Sequence, residues 1–114
     1  MVRKTKEEIR ENVRGGNGKA IFEHVVSTEE LNGHGRLFAR IRLEPGASIG
    51  WHQHVHDTEP YYILGGKGIF VDNDGSRTEV GPGDVCYIDP GQSHAIENAS
   101  SDKELVFMAL VYNE

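Results

Sequence analysis

The chain has 114 residues, enough for one domain with a single core. A formal net charge of −6 argues against a nucleic-acid partner, which needs a basic surface, and no apolar run approaches the ~20 residues that span a bilayer. With 14 glycines and only 37% hydrophobic residues, the composition suits an all-β protein with many tight turns.

Residues 1–14, MVRKTKEEIRENVR, lack the apolar core of a signal peptide. Thr5 followed by Glu8 offers a capping box, so a short helix or an arm is expected over residues 1–18, laid against a partner subunit. Gly15-Gly16-Asn17-Gly18 reads as a flexible break, after which the main domain runs from residue 19 to 114. Lys19 to Val26 is predicted as a strand, Ser27 to Leu31 as a capped helical turn, and Asn32 to Gly35 as a turn. Arg36 to Leu43 alternates cleanly: Leu37, Ala39, Ile41 and Leu43 belong to the core, and the set Arg36, Phe38, Arg40 and Arg42 is expected on the outer face, its arginines being anion-binding groups in the alternative that this face lines the cavity. Asp72 to Ser76 reads as a solvated turn, since it lacks the twelve-residue loop and distal glutamate of a calcium site. Cys86, the one cysteine, lies in the apolar run Val85 to Ile88 and is expected to be a buried, inert thiol. A lone thiol excludes an intramolecular disulfide and predicts a reducing cytoplasm. Leu105 to Tyr112, LVFMALVY, is apolar throughout, so both faces need covering, which predicts a homodimer.

The chemistry concentrates between Gly46 and Gly66. His52 and His54 stand at i and i+2, which in a strand places both imidazoles on one face. Glu59 follows five residues after His54, and a fourth donor stands at His94. Imidazole and carboxylate are donors that first-row divalent metals accept readily, so His52, His54, Glu59 and His94 form the candidate metal site. His24, His34 and His56 have no comparable partners and read as surface residues; His56 would continue the alternation, but the polar segment Val55 to Pro60 should bend and break it. Glu59, Tyr61 and Ile63 share parity, so Tyr61 should point with Glu59, whereas Asn98 reads as serving a turn or the backbone.

The spacing of Gly46, five residues, His52-Gln53-His54, four residues, Glu59, six residues and Gly66 resembles the first motif of the cupin superfamily. Gly83, Gly91, His94 and Asn98 resemble the second, with Asp89 in its proline position and Pro90 following. The resemblance implies a double-stranded β-helix, or jelly-roll barrel, with a metal inside it. The ligand set is similar to that of oxalate oxidases and oxalate decarboxylases, which implies manganese, with iron, nickel or zinc as alternatives, and a small anionic carboxylic acid or dicarbonyl as substrate. No counterpart of the decarboxylase's acidic lid segment is found. Three functions stay open: a manganese- or iron-dependent decarboxylase or oxygenase, a metal-assisted binding or sensing module, and a structural barrel that takes up metal adventitiously. As general base, His56 and Glu44 are candidates. Trp51, Phe70, Phe107 and Met108 are candidates to line a pocket, although each also suits core or dimer packing.

Overall fold

The alternation in Arg36–Leu43 becomes a long strand whose apolar residues Ala39, Ile41 and Leu43 are fully buried. It is β3 (Gly35–Leu43) in the computed structural model, which describes residues 1–114. Around it stand β1 (Lys6–Glu11), β2 (Lys19–His24), β4 (Ser48–Gln53), β5 (Asp57–Thr58), β6 (Tyr61–Gly65), β7 (Gly68–Val71), β8 (Arg77–Val80), β9 (Val85–Cys86), β10 (Ser93–Asn98) and β11 (Leu105–Asn113). Two 3₁₀ turns, Val13–Gly15 and Glu29–Leu31, complete the elements, so the chain is all-β.

The strands form two antiparallel sheets. The larger runs β1-β2-β3-β11-β6-β9, with β5 also on β11, and the smaller runs β4-β10-β7-β8. Facing inner surfaces close on one core in which Leu43, Ile63, Ile96, Leu105 and Phe107 are fully buried. At roughly 1.5–3 kcal/mol for each fully buried large apolar side chain, this layer is the main stabilising term. It is the jelly-roll architecture expected from the sequence.

The N-terminus, expected as a short helix or an arm, forms a strand. Lys6–Glu11 pairs as β1 along the whole of β2, from Lys6 opposite His24 to Glu11 opposite Lys19. Without it β2 would be an edge with open N–H and C=O groups, and satisfying that edge outweighs a short helix with two apolar anchors. Cross-strand contacts add to it: Glu8 lies 2.8 Å from His24 Nε2, and Arg10 stacks 4.3 Å over the ring of Phe22.

Gly15–Gly18 is a clamp rather than a free break. Ser48 N–H donates to Asn17 O at 2.8 Å, Asn17 N–H donates to Ser48 Oγ at 2.9 Å, and Asn12 N–H donates to Gly18 O at 3.0 Å. Gly16 and Gly50 meet here so closely that a Cβ on either would overlap the opposing backbone, Ser48 O for Gly16 and Arg14 O for Gly50. The expected capped turn over Ser27 to Leu31 is present, closed by a reciprocal pair in which Ser27 Oγ accepts from Glu30 N–H and Glu30 Oε1 from Ser27 N–H.

The outward arginine set holds for two of its three members. Arg40 and Arg42 both lie against Glu23, at 3.3 and 3.4 Å, and Arg42 also donates to Glu104 at 2.7 Å. Arg36 differs. The pairing of β3 with β11 passes from Leu37–Val111 to Gly35–Tyr112, so Arg36 is the extra residue of a bulge. A bulge breaks the period of two and re-aims the side chain, here toward the barrel cavity.

Candidate metal centre

β4 and β10 build the floor of the site. His94 pairs with His52 in register, but the ladder resumes only at Ile96 and Ile49. Four β4 residues, 49 to 52, therefore face three on β10, and this bulge at Gly50-Trp51 lets both Ile49 and His52 point inward although they stand at i and i+3. The sequence alternation alone would have set them on opposite faces. His54 follows directly after β4, tied to the His94 turn by its N–H to Gln92 O at 3.0 Å and by Gly91 N–H to His54 O at 2.6 Å. His56 then takes a left-handed φ of 62°, which ends the alternation as expected.

The four donors predicted from the sequence converge. Oε1 of Glu59 lies 3.6 Å from His52 Nε2, 3.1 Å from His54 Nε2 and 3.3 Å from His94 Nε2. All four ligand atoms fall within 4.8 Å of one another. His54, His94 and Glu59 are buried, and His52 is nearly so.

Ring orientation is set from behind. His52 Nδ1 donates to Gly50 O at 2.7 Å, and His54 Nδ1 donates to Asp57 Oδ1 at 2.8 Å. Each imidazole with Nδ1–H committed presents the lone pair of Nε2 to the centre, the arrangement that metal-bound histidines need. Asp57 is itself held by Arg36, whose Nε–H donates to Oδ2 at 3.0 Å. The Nδ1 atom of His94 is buried without a partner, and its Nε2 lies 3.1 Å from that of His52. Two inward nitrogen lone pairs at such a distance repel unless a proton or a cation lies between them, so the donor set fits a divalent cation better than it fits itself.

The electrostatics agree. Burial pushes the Glu59 carboxyl up, but the imidazoles of His52, His54 and His94, which donate to Oε1 when they carry a proton on Nε2, outweigh it and hold the group well below the usual carboxylate range. For His54, burial lowers basicity while the carboxylates of Glu59 and Asp57 raise it further, and the net shift is upward. For His94 burial prevails and the shift is downward. Tyr61 is driven well above the ordinary phenol range by burial and then by the charge of Glu59, so it stays a neutral O–H donor. Its hydroxyl donates to Glu59 Oε1 at 3.2 Å, and its ring stacks on His94 at 5.0 Å, as the shared parity implied.

The cluster opens into a cavity of about 60 Å³ lined on one side by Ile41, Ile49 and Val111, with Arg10, Arg14 and Arg36 also bordering it. The three arginines and Asp57 were not legible as site residues. Asp57 had a weak signal in its place between His54 and Glu59, Arg36 belonged to the arginine face whose less favoured reading was anion binding in the cavity, and Arg10 and Arg14 had no signal.

Other candidates fall elsewhere. His56 is largely exposed and pairs with Glu114 at 3.0 Å, and His24 pairs with Glu8. Glu44 is outside the cavity lining, Trp51 is half-exposed, and Phe70 and Phe107 pack behind Tyr61 in the core. Asn98 serves the backbone, donating through Nδ2 to Leu43 O, Glu44 O and Lys103 O. Cys86 is a buried free thiol, raised to about 11 by burial and then by the charges of Asp84 and Asp72. No helix is long and apolar enough to cross a membrane.

Comparison with known proteins accords with this geometry. Residues 39–111 match the family model described as Cupin domain. The oxalate-binding protein of Thermotoga maritima is 45% identical over 100 residues, covering 88% of this chain and 81% of that protein. A crystal structure from the same organism, described as a predicted oxalate decarboxylase, superposes with a TM-score of 0.91 at 41% identity, covering 100% of this chain and 99% of the other. The polyketide cyclase RemF of Streptomyces resistomycificus shares the fold, with a TM-score of 0.76 at 23% identity over 100% of this chain and 79% of that one. With the two glycine-and-histidine motifs, the paired sheets and the family match in agreement, this chain belongs to the cupin family.

Proposed function

We propose that His52, His54, Glu59 and His94 hold one divalent cation, manganese first and iron, nickel or zinc as alternatives, and that this centre binds a small carboxylate. The observation that carries this reading is the convergence of three Nε2 atoms and one carboxylate oxygen beside a cavity bordered by three arginines. When bound, the cation supplies Lewis acidity toward an anionic oxygen. The chain supplies the rest: Gly50 O and Asp57 orient the imidazoles, Tyr61 offers a neutral O–H, and Ile41, Ile49 and Val111 limit water. The oxalate-binding function of the Thermotoga relative supports oxalate or an acid of its size as the ligand.

Metal-assisted binding is the reading that the lining favours, because its only carboxylate is Glu59 and its only histidines are His52 and His54, all within the donor set. A second reading, metal-dependent turnover of the same acid as a decarboxylase or oxygenase, is favoured by Tyr61, a buried neutral phenol beside the cluster whose O–H can donate a hydrogen bond to charge that develops on a bound acid. We also read the chain as a cytoplasmic homodimer with an N-terminal arm over 1–18 and a barrel over 19–114. In support, the outer face of the larger sheet leaves Tyr62, Leu64, Val85 and Tyr87 exposed beside half-buried Met108 and Leu110.

Elemental analysis of the purified protein and of a His52→Ala/His94→Ala double variant tests the site. About one metal per chain, lost in the variant, is the expected outcome; equal and negligible metal in both would overturn it. Incubating the loaded protein with oxalate and assaying formate, carbon dioxide and peroxide separates the readings: binding without product supports the first, and metal-dependent product the second.

A further inference from the structure

Of the three arginines on the cavity, two are committed. Arg36 donates to Asp57, and Arg10 donates to Glu8 at 3.0 Å while stacking on Phe22. Arg14 alone makes no side-chain hydrogen bond or ion pair within the chain, unlike Arg3, Arg40, Arg42 and Arg77, which are all paired with carboxylates. Its backbone is also unusual. Arg14 sits at φ 54°, ψ 31°, in the left-handed region, two residues after Asn12 at φ 51°. A residue with a Cβ adopts that conformation only when its surroundings over-determine it, and such positions gather at ligand sites. Here Gly15 N–H donates to Asn12 O at 3.1 Å, Gly16 N–H donates to Val13 O at 2.9 Å, and the Arg14 carbonyl seats against Gly50, which a Cβ would prevent. The turn is thus held to the strand that carries His52, with an uncompensated cation on the rim.

The cavity volume restricts what that cation meets. About 60 Å³ is far below the ~300–1,000 Å³ of pockets for drug-sized ligands, so the occupant has few heavy atoms. Glu59 neutralises one charge of a divalent cation, and Arg14 adds one back, so a dianion is the complementary ligand.

We infer that Arg14 is a specificity-determining residue of this site, its guanidinium receiving the outward carboxylate oxygens of a short dicarboxylate whose inner oxygens face the four-donor cluster. A planar fork of N–H donors matches a carboxylate edge, and the pairing is charge-assisted. The N-terminal segment, outside both histidine motifs, thereby selects a diacid over a hydroxy acid of the same size.

This inference rests on the proposed function, and one experiment separates their failures. Manganese-loaded wild type, Arg14→Gln and Arg14→Lys are titrated calorimetrically with oxalate and with glycolate, alongside metal content and melting temperature. Arg14→Gln is expected to weaken oxalate about tenfold or more and glycolate by less than about threefold, with Arg14→Lys recovering part of the loss and metal content unchanged. Oxalate binding by Arg14→Gln equal to wild type, or an equal loss for both ligands, or loss of metal, would overturn the role of Arg14 and leave the metal site's function standing. Absence of oxalate binding by loaded wild type would overturn both.

Discussion

His54 donates its Nδ1–H to Oδ1 of Asp57 at 2.8 Å, and the other oxygen of Asp57 receives the Nε–H of Arg36 at 3.0 Å. Arginine, carboxylate and imidazole thus form a line that ends at the centre of the four-donor cluster. Asp57 is buried and its side chain has no other role in the hydrogen-bond pattern, so its function is to hold the His54 ring in one tautomer and orientation. Asp57→Ala is expected to lower metal affinity by about 10- to 100-fold, with circular dichroism unchanged. A competition titration against a chelator measures it, and wild-type affinity in the variant would remove Asp57 from the site.

Metal should also stabilise the fold. A ligand present at about 100 times its dissociation constant adds about 2.7 kcal/mol to a native state that alone binds it. For a domain of this size, chelation should lower the melting temperature by on the order of 10 °C, reversed by adding manganese. The His52→Ala/His94→Ala variant should show no such response. A response equal to wild type would place the bound metal elsewhere on the chain.

Acidification should release the metal through the histidines and not through Glu59. The Glu59 carboxyl is held well below its ordinary range, so it stays ionised, while His54 is shifted upward and takes up a proton at higher pH than an ordinary imidazole. Because a protonated imidazole cannot ligate, affinity should be at its plateau at about pH 8 and fall steeply toward about pH 5. Affinity that stayed flat over that interval would argue that carboxylates, rather than imidazoles, carry the binding.

The thiol of Cys86 should be silent in the native protein. Burial, then the charges of Asp84 and Asp72, raises it to about 11, so its thiolate fraction at neutral pH is small and its access restricted. Reaction with a thiol-specific reagent at about pH 8 should be at least ~100-fold slower than in denaturant. Comparable rates would mean that the β9 edge opens freely.

Exposed apolar residues on the larger sheet give a test of the proposed dimer, which predicts that the wild-type chain sediments as two copies. Leu64→Asp together with Val85→Asp places charges where both side chains now face outward. Sedimentation should then report a monomer with metal content intact, and an unchanged dimer would move the interface to another face.

What could be read from the sequence followed from local periodicity. The period of two in Arg36–Leu43 was enough to assign its buried face, and the shared parity of Glu59 and Tyr61 was enough to bring their side chains together. The spacing of His52, His54, Glu59 and His94 was enough to bring all four side chains together, since His52 and His94 stand opposite each other on β4 and β10, which pair directly, and His54 and Glu59 follow within a few residues of β4. The N-terminus could be read only as an arm or a short helix, because the signal that makes it a strand, the open edge of β2, lies outside its own residues.

Tertiary structure alone decided the surroundings of the four donors. Arg36 has outward parity in sequence, yet a bulge opposite Val111 and Tyr112 turns it to Asp57. His52 and Ile49 have opposite parity, yet the bulge at Gly50-Trp51 brings both inside. Arg14 reaches the rim because two left-handed residues and two facing glycines let its turn close on β4. In each case the cause is an irregularity of pairing between segments distant in the chain, and a pattern that counts residues along one strand cannot contain it.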